Sequence, residues 1–454
     1  MNEIIKLDRS KPPVSGKPKD IKFPGFFEKT TSNGITVIVV EDSKLPLVTV
    51  RFVFRSGSFE NSKIESGLAL FTSELLSKGT GSMSAVEIAE DVDQLGASLS
   101  TGCDNDATFV SLYSLRKFYE KLYDIGADII LDPVFKAEEI ERLRTQKINS
   151  VISYKDDGDY LAGRIFKEKV FGQNNYANPT EGSLKSLENL SREDILDQYN
   201  AFYKPDNLII AFVGDIKIDE ALKKVEDKFG KWNGRTASKN SGKNIPKPEI
   251  SKVHLVRKAG AVQSSLKIGH LGVERNNKDY FKIKVMNNLL GDGFTSRINK
   301  NLREVNGYTY GASSYFDWKK FAGDFSIETE VKNEITADAV KEIIKEIKLI
   351  KSEKVEEAEL QNVKNYISGT YPMQLETPNA IASKVIALKL YSLPDDHFST
   401  YISQINNVTA EDVKDAAEKY LHPDKLTISI GGNPDDIAES MKQFGEVEVI
   451  EDIE

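Results

Sequence analysis

The chain has 454 residues, of which 39% are hydrophobic and 29% charged, with a formal net charge of −9 at pH 7. That length exceeds one ordinary core, at about 100–200 residues per domain, and its longest apolar runs, such as 208–213, fall far short of the roughly 18 residues of a membrane span. The acidic balance excludes nucleic acid and anionic membrane as main partners, because neutralising phosphates takes clustered Lys and Arg, and leaves proteins or peptides.

Residues 1–24 read as a flexible arm. The stretch MNEIIKLDRSKPPVSGKPKDIKF has no apolar core segment and no small-residue cleavage site. As it stands it is not a secretory signal, so a cytoplasmic location is expected, or a periplasmic one if a signal has been removed. A first domain, 25–232, opens with the strand LVTVRFVF (Leu47–Phe54). SGLALFTSELLSKGTG (66–81) then reads as a helix closed by Lys78-Gly79. Leu68, Phe71 and Leu75 share a core-facing side, while Leu70, Ser73 and Glu74 share another, since residues three and four apart are neighbours. A site could sit on that second face, which carries a single carboxylate. Residues 97–103 and 108–114, joined by the polar turn Asp104-Asn105-Asp106, read as a strand pair, and 137–155 as a long amphipathic helix. Cys103 is the only cysteine, which rules out an internal disulfide; it reads as a small strand residue. The turn Asp156-Asp157-Gly158-Asp159 lacks the twelfth-position Glu and the alternating ligands of a calcium loop, and reads as a solvated helix end.

A polar segment rich in Gly, Ser, Asn and Lys, 233–248, has linker composition and separates a second domain, 249–454. LSREDILDQYNAFYKPDNLIIAFVGD (190–215) and VTAEDVKDAAEKYLHPDKLTISIGGN (408–433) each give a capped helix, a Pro-Asp turn and a β-branched strand ending in Gly. Ser191 matches Thr409 and Pro205 matches Pro423, and LVTVRFVF pairs with SLKIGHLG (265–272) at the same offset. The chain is therefore a duplication: two α+β repeats, each a mostly antiparallel sheet packed with helices.

Local motifs for chemistry are sparse. His254, His270, His397 and His422 are isolated from one another in sequence, with no HxxEH, HExxH or CxxC, and a lone His reads as structural. GDGFTSR (291–297) lacks the GK[ST] of a phosphate loop. In NKNLREVNGYTYGASSYF (299–316) a helix is stopped by Asn306-Gly307, which puts Arg303 in the last helical turn and Tyr310 early in the next strand, close enough to meet across the turn. Such a pair could hold a peptide carbonyl or an oxyanion. Spacing alone favours the plainer alternative, an Arg near a helix C-terminus and a half-buried strand Tyr.

Taken together, these segments resemble the M16 family of zinc peptidases, the pitrilysin, insulinase and mitochondrial-processing-peptidase group, in its short-chain M16B form. The likeness covers about residues 25–435. GLALFTSELLSKGT is similar to the family's catalytic helix GLAHFLEHMLFKGT, and YANPTEGSLKSLENLSREDILDQYNAFYKPDNLIIAFVGD and GDGFTSRINKNLREVNGYTYGASS are similar to two further family stretches. The resemblance implies a LuxS/MPP-like metallohydrolase fold forming half of a clamshell. It also places the family's first zinc His on Leu70, its Glu base on Ser73, its second His on Glu74 and its downstream Glu ligand near Asn149 or Ser150. All are lost, so this chain is expected to hold no metal and to have no catalytic residue of its own, like the family's zinc-less subunits. Arg303 and Tyr310 fit the family's LRxxxGxxY order, which implies that they complete the active site of an HxxEH-bearing sister subunit that carries the zinc and cleaves unfolded peptides. Gly291 and Gly293 would lie nearby, allowing close backbone approach or merely a tight turn. The alternative is a structural scaffold without proteolytic role; least favoured is an autonomous hydrolase using Glu74.

Overall fold

A computed structural model describes residues 22–239, 242, 245, 246 and 251–453; most of the 1–24 arm and part of the 233–248 linker lie outside the described residues. Among the described residues, twelve strands form two six-stranded sheets. The first contains β1 (Phe27–Thr30), β2 (Thr36–Glu41), β3 (Leu47–Phe54), β4 (Ser98–Cys103), β5 (Thr108–Leu115) and β6 (Leu208–Gly214), in the order β1-β2-β6-β3-β5-β4. The second contains β7 (Lys252–Arg257), β8 (Gln263–Leu271), β9 (Ala312–Asp317), β10 (Asp324–Lys332), β11 (Thr427–Gly432) and β12 (Glu446–Ile450), in the order β12-β7-β11-β8-β10-β9.

Set aside β1 and β12, and the two orders are the same. In each repeat the strand that ends the 190–215 or 408–433 segment, β6 or β11, lies centrally, parallel to one neighbour and antiparallel to the other. The run of apolar side chains in β6 follows from that place, because a central strand covered on both faces has no solvent side to alternate with; all seven residues of LIIAFVG are buried. The preceding helices, Arg192–Phe202 and Ala410–Tyr420, start identically: Ser191 and Thr409 accept from the backbone N–H of Asp194 and Asp412, whose carboxylates return the bond. The repeats differ at one edge, where β1 pairs antiparallel with β2 but β12 pairs parallel with β7.

The repeats also exchange a helix. Gly158–Phe171, from the first repeat, lies on β8 and β11 of the second sheet, and Pro378–Leu390, from the second, lies on β3 and β6 of the first. Ile381, Ala382, Val385 and Ile386 there close an apolar layer with Ile38, Val40, Val53, Ile209 and Val213. Asp157 begins the first of these helices, accepting from the N–H groups of Asp159 and Tyr160, so the acidic turn is a helix N-cap. At the junction, the Lys320 N–H of the second repeat donates to Asp106 of the first at 2.9 Å, and the Tyr176 hydroxyl, also of the first, donates to the same carboxylate at 2.7 Å. The start of the linker is held on the first repeat, where Lys239 donates to the Arg55 carbonyl at 2.7 Å. Among the described residues no helix is long and apolar enough to cross a membrane.

Candidate functional site

The helix of 66–81 covers Leu68–Leu75, followed by one tighter turn. Leu68, Phe71 and Leu75 are buried in the first core, as their spacing predicts. On the other face Leu70 is half-buried, and Ser73 is fully buried with its hydroxyl donating to the Leu70 carbonyl at 2.7 Å. Glu74 accepts from Lys147 Nζ at 2.6 Å. Lys147 projects from the helix Ala137–Tyr154, which also carries Asn149, exposed, and Ser150, whose hydroxyl donates to the Gln146 carbonyl at 3.0 Å.

The two helices that would have to share a metal therefore do meet, but through an ammonium–carboxylate pair. Zinc takes three or four N, S or O donors at about 2.0–2.3 Å. Here one face offers a hydrocarbon, a hydroxyl bonded to its own helix and a carboxylate already neutralised, a set that does not fit zinc. Among the described residues no group of three or more His, Cys, Asp or Glu side chains is placed to hold a metal ion. Lys147 could not have been found from sequence: it is 73 residues from Glu74 and joins it only through tertiary packing.

The second constellation lies at the edge of the other sheet. The helix Tyr280–Asn287 runs on into a wide π turn, Asn288–Asp292, and after a loop Arg297–Asn299 is followed by a second π turn, Lys300–Val305. Such turns recur at functional sites. Gly307, with φ +66°, ends the helix, as expected from Asn306-Gly307. Arg303 is exposed, and its guanidinium sits 4.7 Å from the centre of the Phe294 ring, itself 68% exposed.

Tyr310 departs from its expected place. It precedes β9, which begins at Ala312, and it is 98% exposed, so it is neither a strand residue nor half-buried. The cause lies partly in the neighbouring strand: the Gly311 carbonyl accepts from the hydroxyls of Thr309 and of Thr329 on β10 at 3.0 Å each, which takes that peptide out of the ladder. No hydrogen bond or ring contact joins Arg303 to Tyr310 among the described residues; the guanidinium lies over Phe294 instead.

Gly291 has a structural reason. A Cβ there would stand 2.4 Å from Ser314 Oγ and 2.8 Å from the Ser314 backbone N, so the close approach is to β9. Gly293 is looser, its nearest neighbour 3.1 Å away at the Asn288 carbonyl. Beside the loop opens a cleft of about 460 Å³ lined by Phe294, Ser296, Glu359, Val363 and Tyr366, in which the Ser296 hydroxyl is buried without a partner among the described residues. An apolar Phe294 within a Gly-rich polar loop is the sequence signal that could have marked it.

The histidines are placed by packing. His270 and His422 are brought together, with ring centres 5.0 Å apart. His270 donates from Nδ1 to the Leu271 carbonyl at 2.9 Å and accepts at Nε2 from the His422 N–H at 3.1 Å. Both ring nitrogens are thus used, and burial pushes its pKa down to about 4. His254 faces Glu448 at 2.7 Å and His397 faces Arg275 at 3.2 Å.

Comparison with known proteins agrees with this architecture. Residues 36–183 match the family model described as insulinase, peptidase family M16, and residues 189–367 match that of the peptidase M16 inactive domain. An "uncharacterized zinc protease YmxG" of Bacillus subtilis is 24% identical over 406 residues, 89% of this chain and 98% of that protein. A "non-peptidase homolog YmxG" of Helicobacter pylori is 24% identical over 409 residues, 88% of this chain and 92% of that one. The crystal structure of a peptidase M16 inactive domain from Pseudomonas fluorescens superposes with a TM-score of 0.84 at 25% identity, over 90% of this chain and 98% of that one. The fold also matches that of a protease from Helicobacter pylori, with a TM-score of 0.85 at 19% identity over 90% and 99% of the two chains.

Proposed function

The chain belongs to the M16 family of peptidases, and from that premise we propose that it is the zinc-less subunit of a two-chain M16 peptidase. An HxxEH-bearing sister chain supplies the zinc and its activated water, and this chain supplies Arg303 and Tyr310 to the sister's site. The substrate is an unfolded peptide.

The observation that carries the reading is a contrast between two faces. The zinc face has been filled with Leu70, a self-bonded Ser73 and the Glu74–Lys147 pair, while Arg303 and Tyr310 stand in solvent on the opposite repeat. A tyrosine 98% exposed adds little to the fold, since large apolar surface in water gains no burial. Donors held on an outer loop suit a carbonyl brought by another chain, where they would stabilise charge developing on the scissile oxygen.

The test is hydrolysis of a quenched unstructured peptide by this chain alone, by the sister alone, and by their mixture, with and without a chelator. Chelator-sensitive activity only in the mixture is expected, with Arg303→Ala lowering it about 10²- to 10³-fold, as loss of one oxyanion donor does. Activity that ignores Arg303→Ala would overturn the site role. A silent mixture of two chains that associate would favour a scaffold.

A further inference from the structure

The first sheet holds a charged cleft that the M16 reading does not use. Of about 370 Å³, it lies between β3, β4 and β5 and the helix Pro378–Leu390, and Arg51 stands in its wall. That volume falls within the roughly 300–1,000 Å³ of ligand pockets.

Arg51 is half-buried in mid-strand, with Nη1 donating to Ser383 Oγ at 2.7 Å and Nη2 to Asn379 Oδ1 at 3.5 Å. Its Nε is buried and has no partner among the described residues. Among the described residues no carboxylate lies within ion-pairing distance of it, and its pKa is lowered by burial. A guanidinium drawn out of water without a counter-charge is costly, and a carboxylate bound through two parallel N–H···O bonds is the group that best matches its fork. The carboxylate of Asp104 borders the same cleft, but at its far end, four residues beyond Ser100 or about 13 Å along the strand at about 3.3 Å per residue. One of its oxygens accepts from the N–H groups of Asp106 and Ala107, both at 2.8 Å.

The register supplies the path to Arg51. Arg51 pairs with Ser111, and Ser111 with Ser100, so the three side chains form one row on the cleft side. Two serines leave a trough over β5 and β4, and β4 is the last strand of the sheet, with its outer edge unpaired among the described residues. From that edge to Arg51 is two strand spacings, about 10 Å, which an extended chain spans in about three residues. Val53, Phe109 and Ile386 give the trough an apolar floor and wall. We propose that this cleft binds the free C-terminal carboxylate of a short extended peptide, entering over β4 and ending on Arg51. The inference is independent of any partner subunit, and it is tested on the chain alone.

Calorimetric titration of the full chain with N-acetyl-trialanine as the free acid, with the same peptide as its C-terminal amide, and with sodium acetate separates the outcomes. The free acid is expected to bind saturably, and the amide and acetate at least tenfold more weakly. Arg51→Gln should bring the acid down to the level of the amide. Because that change also removes a bond to the packed helix, Ser100→Tyr, at an exposed edge position, blocks the trough while leaving the guanidinium in place, and it should abolish binding equally. Acid and amide binding alike, or binding unchanged in a folded variant, or no saturable binding, would overturn the proposal. Acetate binding as tightly as the peptide would assign Arg51 to small acids and overturn the peptide.

Discussion

Replacing Gly291 by Ala tests why a glycine stands in the loop before Arg303. A Cβ there meets Ser314 Oγ at 2.4 Å, Ser314 Cβ at 2.7 Å and the Ser314 backbone N at 2.8 Å. Rotating the serine clears only the first, and Ser314 is not free to rotate: its hydroxyl donates to Asn287 Oδ1 at 2.7 Å and its carbonyl accepts from Asn287 Nδ2 at 3.0 Å. The π turn and β9 must therefore separate. Overpacking of a rigid contact costs about 1–3 kcal/mol, and a disturbed buried hydrogen bond adds about 0.5–1.5 kcal/mol, giving about 1.5–4.5 kcal/mol in all. Gly293→Ala meets nothing closer than 3.1 Å at φ −97°, and should cost less than about 1 kcal/mol. The chain's two tryptophans fall one in each repeat, Trp232 against the first core and Trp318 against the second. Urea unfolding followed by fluorescence in a Trp232→Phe background then reports on the affected repeat. Equal stability of Gly291→Ala and the parent, or an equal loss for Gly293→Ala, would refute the packing argument and return Gly291 to a ligand-approach role.

Phe71, 1% exposed in the first core, should cost about 3–5 kcal/mol when cut to Ala, whereas Tyr310→Ala should stay within about 0.5 kcal/mol; urea unfolding followed by Trp232 fluorescence in a Trp318→Phe background measures the first, and the Trp232→Phe background measures the second. Tyr176→Phe removes a 2.7 Å bond to the buried Asp106 carboxylate at the junction of the repeats and should cost about 1.5–3 kcal/mol in thermal or urea unfolding. Acid should weaken the second repeat through His270, held at about 4 by burial against an unfolded value of about 6.5. The unfolded chain takes up that proton first as pH falls, so the contribution is complete above about pH 6.5 and is lost between about 6.5 and 4, by about 3 kcal/mol. Stability measured across that window in His270→Asn should show a flatter slope, and identical slopes would exclude the histidine.

The repeats were legible because their signals are local. Ser191 with Asp194 and Thr409 with Asp412 are complete capping boxes, and each is followed by a Pro-Asp turn and a strand ending in Gly. The exchange of helices was not legible. Leu161 and Ile165 say that their helix is buried, and nothing in their spacing says that Val256 and Ile453 of the other repeat bury it. The run from Tyr308 to Phe316 alternates as a strand does, yet hydroxyl bonds from Thr309 and Thr329 to Gly311 delay β9 and leave Tyr310 outside, an effect that needs the neighbouring strand β10 to be known. The departures from the family motif at Leu70, Ser73 and Glu74 were visible residue by residue. Replacement of the zinc face by the Glu74–Lys147 pair was not.

That replacement bears on whether the lost chemistry could be put back. The core side of the helix, Leu68, Phe71 and Leu75, is independent of the opposite face, so ligands can be exchanged without unmaking the packing. The present residues, however, leave nothing unsatisfied: Ser73 bonds its own helix and Glu74 its lysine. Restoring the motif as Leu70→His, Ser73→Glu and Glu74→His places a carboxylate at a position that is 0% exposed and frees the Lys147 ammonium from its counter-charge in the same space. Without a third protein ligand at Asn149 or Ser150, zinc would have to offset both. The triple variant should therefore be less stable than the parent by at least about 1–3 kcal/mol, the cost of an unpaired buried polar group. After incubation with zinc and desalting, elemental analysis should find well under one zinc per chain. A stoichiometric metal, with chelator-sensitive peptide hydrolysis by the variant alone, would show that the second helix adjusts more freely than the Glu74–Lys147 contact implies.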